Sequence, residues 1–350
     1  MKRVLVCVLD WGLGHATRSV PVIRELRAQG ADVLMASSGA AGQLLREEFP
    51  ELSYHELPGY RPQYPHAGSM IMAMARQLPR FHRVIRQEHE ELEALVKNLR
   101  IDIVMSDNRF GCYSRQVPSV FVTHQVCIRL ASRWRWVETM VNAWQRQYIN
   151  RYTSVWVPDT PGMDLTTHFM TSRVPVHYIG WLSRFGQSGP SSQRRAIVAV
   201  VSGPEPQRSL FAERLRDELE ASGEKSLLVL GLPGEPARRL EGNLEIANHL
   251  PAGELEAALR SADLVIARSG YSTIMDMIAL GRNAAFVPTP QQPEQIYLAR
   301  MLNESGIAFC QDQENFTVET LRRGAAQSKG LGVFTMQEAL LKSAVQKLLA

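Results

Sequence analysis

Short apolar runs alternate with longer amphipathic stretches in the first half of the chain. The runs are rich in β-branched residues, are bounded by turn residues, and lie at 3–9, 31–37, 101–107, 117–124 and 154–159. Helical patterns follow the first two runs, at 17–29 and 40–48. Continuous apolar strands separated by helices are typical of a parallel sheet that is covered on both faces. This half is therefore predicted to be a doubly wound α/β domain.

The same pattern begins again after a loop rich in Gly and Ser at 180–195. Strands are predicted at 196–203, 225–231, 244–248, 262–270 and 283–289, and helices at 207–222, 253–261 and 272–280. The fold class is therefore predicted as α/β, with two doubly wound Rossmann-like domains facing across a cleft. Ligands of such folds bind at the carboxyl ends of the strands, so we expect the chemistry in the loops after strands.

Composition narrows the class of protein. The 350 residues exceed what one hydrophobic core usually supports, and 45% apolar with 21% charged residues is ordinary for a soluble globular protein. A formal net charge of +4 is too small to indicate a nucleic-acid binder. The four cysteines form no C-x-x-C pair, and no run of eighteen apolar residues occurs. We therefore expect a cytoplasmic protein without a disulfide framework, a zinc site or a membrane span.

The stretch ARSGYST at 267–273 predicts a strand end, a tight turn and the start of a helix. The free N–H groups of a first helical turn, together with the helix dipole, form an anion site that suits a diphosphate. A neighbouring arginine can add a fixed positive charge. The residues predicted to contact a diphosphate here are Arg268, Ser269, Gly270, Ser272 and Thr273.

Asp276 lies one turn further along the same predicted helix, where a carboxylate can accept hydrogen bonds from ribose hydroxyls. Together with the turn, it suits a nucleoside diphosphate. The segment resembles the donor-binding motif of GT-B glycosyltransferases, in particular family 28, which includes the peptidoglycan N-acetylglucosaminyltransferase acting on lipid I, and of the related UDP-glycosyltransferases. The residues that carry the resemblance are Arg268, Gly270, Ser272, Thr273, Asp276, Glu294 and Gln295.

The resemblance implies a role for each of these positions. The turn holds the diphosphate, and Asp276 binds ribose, although the family usually has the longer Glu there. Glu294 and Gln295 hold the sugar hydroxyls. Two further donor contacts are implied, Gly203 near the diphosphate and Leu250 at the nucleobase; for Leu250 an ordinary core leucine is the alternative.

A domain assignment also follows from the resemblance. Residues 1–178 are expected to bind the acceptor and 179–334 to bind the nucleotide-sugar donor. The helical segment 335–350 is expected to pack back on the first domain. Because the nucleotide-sugar is a co-substrate, no cofactor is expected, and no metal site is expected because the chain contains no D-x-D motif.

The turn GLGH at 12–15 follows the first predicted strand. A lone histidine in a turn is most often a hydrogen-bonded turn residue. The resemblance implies instead that His15 is a general base oriented by Asp107, and that Gly14 lies close to the donor diphosphate. An imidazole with a pKa of about 6.5 suits proton removal near neutral pH. A helix cap or an Asx turn is the alternative for Asp107, and Asp10 is an alternative residue for activating the acceptor.

A basic stretch with three tryptophans lies at 129–152. It contains five arginines, a single acid, and Trp134, Trp136 and Trp144. Such a helix can lie at a bilayer surface, which would fit the lipid acceptors of many family 28 enzymes. The alternative is that the tryptophans are core residues and the arginines form a solvated face. Peripheral contact with the inner face of the membrane is therefore one expectation for localisation.

The resulting hypothesis is an inverting, metal-independent sugar transfer from a nucleotide-sugar to an unknown acceptor hydroxyl. UDP is the expected nucleotide, for example in UDP-GlcNAc, and the acceptor is lipid-linked or a small molecule. One alternative is a UDP-sugar 2-epimerase of the same fold, and another is a non-catalytic nucleotide-sugar-binding protein. A Rossmann dehydrogenase is disfavoured, because GLGHATR lacks the third glycine of G-x-G-x-x-G.

Overall fold

The computed structural model of the chain describes residues 1–63, 70–124, 135–161, 165, 173–186, 194–232 and 237–350. It divides the chain into two compact units. The first contains 1–63, 72–182 and 337–350, and the second is built mainly from 183–336. These boundaries lie within four residues of the domain boundaries expected from the sequence.

A parallel sheet forms the centre of the first unit. Its strands are β1 (Arg3–Val8), β2 (Asp32–Ser37), β3 (Tyr54–Glu56), β4 (Ile103–Asp107), β5 (Ser119–Val122), β6 (Ser154–Val157) and β7 (Val176–Tyr178). They lie in the order β3-β2-β1-β4-β5-β6-β7, and every neighbouring pair is parallel. The strands β1, β2, β4 and β5 are almost entirely buried, which explains their continuous apolar sequences.

Four helices follow strands of this sheet, namely α1 (Leu13–Ala28), α2 (Gly39–Glu48), α3 (Met70–Asn98) and α4 (Arg135–Ile149). Part of the core lies between the sheet and α3, where Leu92 and Val96 pack on Leu5, Leu34 and Val104. With 29 residues, α3 is the longest helix in the described chain. The apolar pattern of the sequence did not predict this helix.

Helix α1 begins at Leu13 and not at the predicted position 17. Gly12 adopts a φ of 89°, in the region that favours glycine, and turns the chain directly from β1 into the helix. Gly14 and His15 therefore lie in the first helical turn. The prediction was wrong at this point because glycines beside a histidine are poor helix formers and suggest a loop.

The second unit contains a six-stranded sheet. Its strands are β8 (Arg195–Val200), β9 (Ser226–Val229), β10 (Arg238–Glu241), β11 (Leu244–Ala247), β12 (Ala262–Ala267) and β13 (Ala284–Phe286), in the order β10-β11-β9-β8-β12-β13. The pair β10–β11 is antiparallel and the other pairs are parallel.

Five helices accompany the second sheet, namely α5 (Gln207–Ser222), α6 (Ala252–Ser261), α7 (Tyr271–Leu280), α8 (Pro293–Glu304) and α9 (Val318–Gln327). The core includes Phe211 of α5, Ile266 of β12 and Leu321 of α9. The last helix, α10 (Glu338–Leu349), belongs to the first unit: it contacts α1, and Gln29 Nε2 donates to the Lys342 carbonyl at 2.9 Å.

Both sheets reverse their strand order at one place. In the first unit this place lies between β1 and β4, and in the second between β8 and β12. The carboxyl ends of parallel strands at such a topological switch point form the usual ligand crevice of a doubly wound fold. None of the helices in the described ranges is long and apolar enough to span a bilayer.

Candidate active site

His15 and Asp107 meet at the switch point of the first unit. His15 lies in the first turn of α1, directly after β1, and Asp107 is the last residue of β4. Because β1 and β4 are parallel neighbours, the two side chains reach the same edge of the sheet. His15 Nδ1 lies 2.7 Å from Asp107 Oδ1, as a hydrogen-bonded pair.

Asp107 is fixed by Arg18, one turn after His15 on α1. Arg18 Nε donates to Asp107 Oδ2 at 2.7 Å, and Arg18 Nη2 donates to Asp107 Oδ1 at 2.5 Å. Ser19 Oγ also reaches Oδ2, at 3.2 Å. Burial raises the pKa of the Asp107 carboxyl, but the charge of Arg18 and the hydrogen bonds from Arg18 and His15 outweigh this effect and hold its pKa well below the usual range. Asp107 is therefore ionised at neutral pH.

The pairing with Asp107 determines the tautomer of His15. An ionised carboxylate oxygen 2.7 Å from a ring nitrogen requires a proton between them, so Nδ1 carries the hydrogen and Nε2 keeps its lone pair. Burial lowers the pKa of His15, the charge of Arg18 lowers it further, and Asp107 only partly offsets both. His15 is thus a neutral imidazole whose Nε2 is ready to accept a proton.

Asp10 is held in a different network. Its carboxylate accepts from the main-chain N–H of Tyr60 at 3.1 Å and lies 3.9 Å from Arg109 Nη2. Arg109 and Glu88 form a fully buried ion pair of 2.8 Å, and Tyr60 Oη donates to Glu88 at 2.8 Å. These contacts give Asp10 a structural task, and its proposed role as an alternative activating residue stays a prediction.

In the second unit, the predicted diphosphate turn joins β12 to α7. Gly270 is the N-cap of α7 and, as a glycine, it has no side chain to cap the first turn. Ser272 and Thr273 are partly exposed there, whereas the buried Ser269 directs its hydroxyl to the Gln295 carbonyl at 2.9 Å. The arrangement leaves a helix N-terminus of the kind that binds anions.

Arg268 is not exposed at this turn but is completely buried. Its Nη1 donates to the carbonyls of Val287 and Pro288, and its Nη2 donates to the Gln207 carbonyl and to Gln313 Oε1. Among the described residues, no carboxylate lies at ion-pair distance from it, and burial lowers the pKa of Arg268 to about 9. It is a buried cation without an anionic partner in that part of the chain.

Asp276 is partly buried on α7. Ser183 Oγ donates to its Oδ1 at 2.5 Å. Burial raises the pKa of Asp276 to about 6, although the Ser183 hydrogen bond and the charge of Arg184 act in the opposite direction. A carboxylate that is costly to ionise is often retained for a function.

The predicted sugar-binding pair starts α8. Glu294 is partly exposed in its first turn, whereas Gln295 is buried and accepts from the Thr289 N–H at 2.8 Å. The hydroxyl of Thr289 has no hydrogen-bond partner among the described residues, and neither has Gln292 Oε1. A Cβ placed on Gly203, whose φ is 107°, would lie 3.6 Å from Thr289 Oγ1. The loop after β8 therefore passes next to an unsatisfied hydroxyl.

Leu250, the predicted nucleobase contact, follows β11. Its side chain is buried, as in the core alternative. Within the described residues, no hydrogen bond is made by its main-chain N–H or C=O. No group of three or more His, Cys, Asp and Glu side chains in the described ranges is arranged to hold a metal ion.

Residues 248–347 match the model of the glycosyltransferase family 28 C-terminal domain. An uncharacterized glycosyltransferase of Methanosarcina mazei is 20% identical over 328 residues, which cover 87% of this chain and 84% of that protein. A protein of Salmonella paratyphi A is 24% identical over 362 aligned positions, covering 96% and 92% of the two chains. It is named UDP-N-acetylglucosamine--N-acetylmuramyl-(pentapeptide) pyrophosphoryl-undecaprenol N-acetylglucosamine transferase.

The crystal structure of the glycosyltransferase SnogD from Streptomyces nogalater has a TM-score of 0.62 at 17% identity, covering 100% of this chain and 99% of that one. This likeness shows the fold. The chain is a glycosyltransferase with the GT-B fold, and its residues 248–347 match a family 28 C-terminal domain.

Two residues near His15 in this glycosyltransferase, Arg18 and His124, were not predicted from the sequence. Arg18 shares a helix face with His15, three residues on, and pairs with Asp107. His124, just after β5, is buried and its Nδ1 is hydrogen-bonded to Arg18 Nη1. Arg18 lies three residues after His15, and this spacing places both side chains on one face of a helix, so the sequence could have indicated their contact. No local pattern pointed to His124, because its place depends on the order of strands in the sheet.

Proposed function

We propose that this glycosyltransferase moves a sugar from a UDP-sugar to an acceptor hydroxyl, with UDP-N-acetylglucosamine as the first donor to test. The observation that carries the proposal is the 2.7 Å hydrogen bond between His15 Nδ1 and Asp107 Oδ1, which leaves Nε2 as a base. The donor is suggested by the name of the Salmonella paratyphi A relative, which covers almost the whole chain.

In the proposed reaction, His15 Nε2 removes the proton of the acceptor hydroxyl as its oxygen attacks the anomeric carbon. The attack comes from the face opposite the diphosphate, so the configuration at that carbon is inverted and the UDP leaves. Asp107 holds the imidazole in the orientation and tautomer that present Nε2 to the acceptor. General-base assistance of this kind contributes about 10² to 10⁴-fold to the rate.

The charge that grows on the leaving diphosphate needs stabilisation. The N-terminus of α7, which begins after Gly270, supports this role together with Ser272 and Thr273, and Gly14 and Gly203 are the other proposed contacts. The guanidinium of Arg268 is buried behind main-chain carbonyls. Its positive charge would therefore stabilise the diphosphate by electrostatic attraction and not by direct contact. The chain has no D-x-D motif, so the reaction is proposed to proceed without a metal ion.

The remaining donor contacts follow the family pattern. Asp276 would accept hydrogen bonds from the ribose, and the main chain of Leu250 would pair with the base. Glu294 and Gln295 would hold the sugar hydroxyls. The unsatisfied Thr289 hydroxyl in the same loop region supports the view that a polar ligand completes this region.

The acceptor is proposed to be lipid-linked, with the enzyme in peripheral contact with the inner face of the membrane. Trp136 and Met140 are each 63% exposed on α4, and Met72 and Leu78 are exposed on α3. Trp144 instead packs on Phe110, as in the core alternative. Trp134 and the rest of 129–134 lie outside the described residues.

Sedimentation with vesicles tests the membrane contact. Binding to vesicles that contain phosphatidylglycerol is expected to fall when Trp136 is replaced by Gln. Leu240→Gln is the matched control, because Leu240 is 73% exposed on β10 of the second unit. Equal binding of both variants and the unchanged protein would count against α4 as the contact.

The donor proposal is tested with a panel of nucleotides and an activity assay. UDP at about 100 times its dissociation constant should stabilise the protein by about 2.7 kcal/mol, and ADP or GDP should do much less. Incubation with UDP-N-acetylglucosamine and EDTA should release UDP, faster with an acceptor than without. Binding without any UDP release would favour the nucleotide-sugar sensor, and an epimerised sugar or a glycal in the absence of acceptor would favour the 2-epimerase.

A further inference from the structure

Arg18 joins three functional side chains of the first unit. Its guanidinium donates to both oxygens of Asp107, lies 2.9 Å from His15 Nδ1, and is hydrogen-bonded to His124 Nδ1. The side chain is fully buried, and so is that of Asp107. A buried arginine that grips a carboxylate with two parallel bonds holds it in one orientation.

The charges of this group differ from those of a simple histidine–aspartate pair. An unpaired aspartate beside a histidine favours the protonated imidazolium and so makes the histidine charge easily. Here the positive charge of Arg18 is paired with Asp107 at hydrogen-bond distance. The net charge of the Arg18–Asp107 pair is close to zero, so the pair stabilises a protonated His15 only weakly.

We propose that Arg18 is a positioning residue for the general base, which fixes Asp107 and cancels most of its charge so that His15 stays neutral in mildly acidic solution. The catalytic consequence rests on the proposed function, whereas the electrostatic one does not. The enzyme would then keep an active base at pH values where an ordinary histidine–aspartate pair has lost it.

The groups that face His15 come from three elements. Arg18 lies on α1 itself, Asp107 ends β4, and His124 follows β5. Burial lowers the pKa of His15, the charge of Arg18 lowers it further, and His124 acts in the same direction. The position of His15 in the first turn of α1 adds to this, because the positive end of a helix dipole disfavours a cation.

The test is a titration of the histidine ring signals by NMR. The chain has nine histidines, and the signal of His15 is identified by its loss in His15→Gln. In the unchanged protein the pKa of His15 is expected below 6.5. In Arg18→Met it is expected to rise by at least about 1 pH unit, because the charge of Asp107 is no longer cancelled. Arg18→Lys keeps the positive charge but cannot donate two parallel hydrogen bonds to Asp107. The pKa of His15 in this variant should lie between the other two values.

Arg27→Met is the matched control, since Arg27 lies on the same helix and pairs with Glu51 at the surface. It should leave the titration of His15 unchanged. A His15 pKa at or above 6.5 in the unchanged protein overturns the proposal without any variant, so a failure of Arg18→Met to fold does not protect it. An unchanged His15 pKa in folded Arg18→Met overturns it equally.

The pH profile of transfer separates this proposal from the proposed function. If His15 is the base, the acid limb of kcat/KM in Arg18→Met moves to higher pH by the same amount as the pKa of His15. A pKa that shifts while the acid limb stays in place leaves Arg18 as the residue that tunes His15 and removes His15 as the base. A purely structural role of Arg18 would lower activity equally at all pH values.

Discussion

The two units treat buried charge differently at the ends of their strands. In the described part of the first, both buried arginines have a carboxylate partner: Arg18 is paired with Asp107 and Arg109 with Glu88. In the second, Arg268 is as deeply buried, but its hydrogen bonds go to carbonyl and amide oxygens. The second unit also has such a pair, Arg195 with Glu245, but Arg268 has no carboxylate partner among the described residues.

The difference fits the tasks that we propose for the two units. A general base must be oriented and neutral before the substrate arrives, so its surroundings have to be complete in the free protein. An anion site is completed by the anion, and a buried cation without an anionic partner favours that binding. The unsatisfied oxygens of Thr289 and Gln292 are in the second unit as well.

The largest effect is expected when the base itself is removed. Replacing His15 by Ala should lower the rate of transfer by at least about 10²-fold and leave the affinity for UDP unchanged. Single-turnover assays and calorimetric titration measure the two quantities separately. His177→Ala is the control, since His177 is exposed on β7. Near-normal turnover of His15→Ala would remove His15 as the base.

The second prediction compares the two buried arginines. Arg109→Met leaves Glu88 buried without its counter-ion, which should cost about 3–5 kcal/mol of the free energy of unfolding. Arg268→Met leaves no buried anion, so its cost should be smaller, but it should weaken UDP binding at least about tenfold. All six tryptophans lie at or before position 181, so their fluorescence follows urea unfolding of the first unit, and circular dichroism follows both units.

An equal or larger loss of stability in Arg268→Met would contradict the comparison, because it would mean that Arg268 is held mainly as a structural residue. Unchanged UDP binding in Arg268→Met would also contradict the comparison. Arg109→Met should leave UDP binding intact under conditions where the protein is folded.

The sequence predicted those features of the fold and the site that depend on neighbouring residues. Strands and helices with regular apolar patterns were predicted to within a few residues, as β1, β12 and α5 illustrate. The edge strands β3, β7 and β10 were missed because they are short and largely exposed, so no continuous apolar run marks them. The turn that holds Gly270 could be recognised locally, because a helix N-terminus depends on neighbouring residues.

Arg18, Arg109 and Arg268 were harder to interpret. An arginine in a sequence is expected to be exposed, and only the tertiary structure places its partner. Glu88 lies 21 residues before Arg109, and Asp107 lies 89 residues after Arg18. The sequence identified Arg268 through its place in a motif, but gave no sign that its guanidinium is buried.

The third prediction concerns Asp276, whose pKa is raised to about 6. In the unfolded chain its pKa is about 4, so ionisation penalises the folded state. The penalty is absent below about pH 4, develops between about pH 4 and 6, and is complete above that range. Asp276→Asn should therefore be more stable than the unchanged protein by about 1–3 kcal/mol at pH 7, and no more stable below pH 4.

Urea unfolding at several pH values measures this difference, and UDP titration of the same variant should reveal weaker binding. A variant that gains stability and loses affinity indicates a residue kept for its ligand. A stability difference that is constant from pH 4 to pH 7 would contradict the raised pKa of Asp276.

The smallest effect is expected from the unsatisfied hydroxyl of Thr289. Thr289→Val removes a buried oxygen that has no partner among the described residues, so stability should be unchanged or rise by up to about 1 kcal/mol. If the hydroxyl binds the donor, the affinity for UDP or the UDP-sugar should fall about 3- to 10-fold, the value of one net hydrogen bond. Thr160→Val is a matched control, because the Thr160 hydroxyl in the first unit is buried and equally without a partner in the described chain. Thr160→Val should change stability in the same way and leave donor affinity untouched; equal affinities in both variants would mean that the Thr289 oxygen is a defect of packing and not a ligand contact.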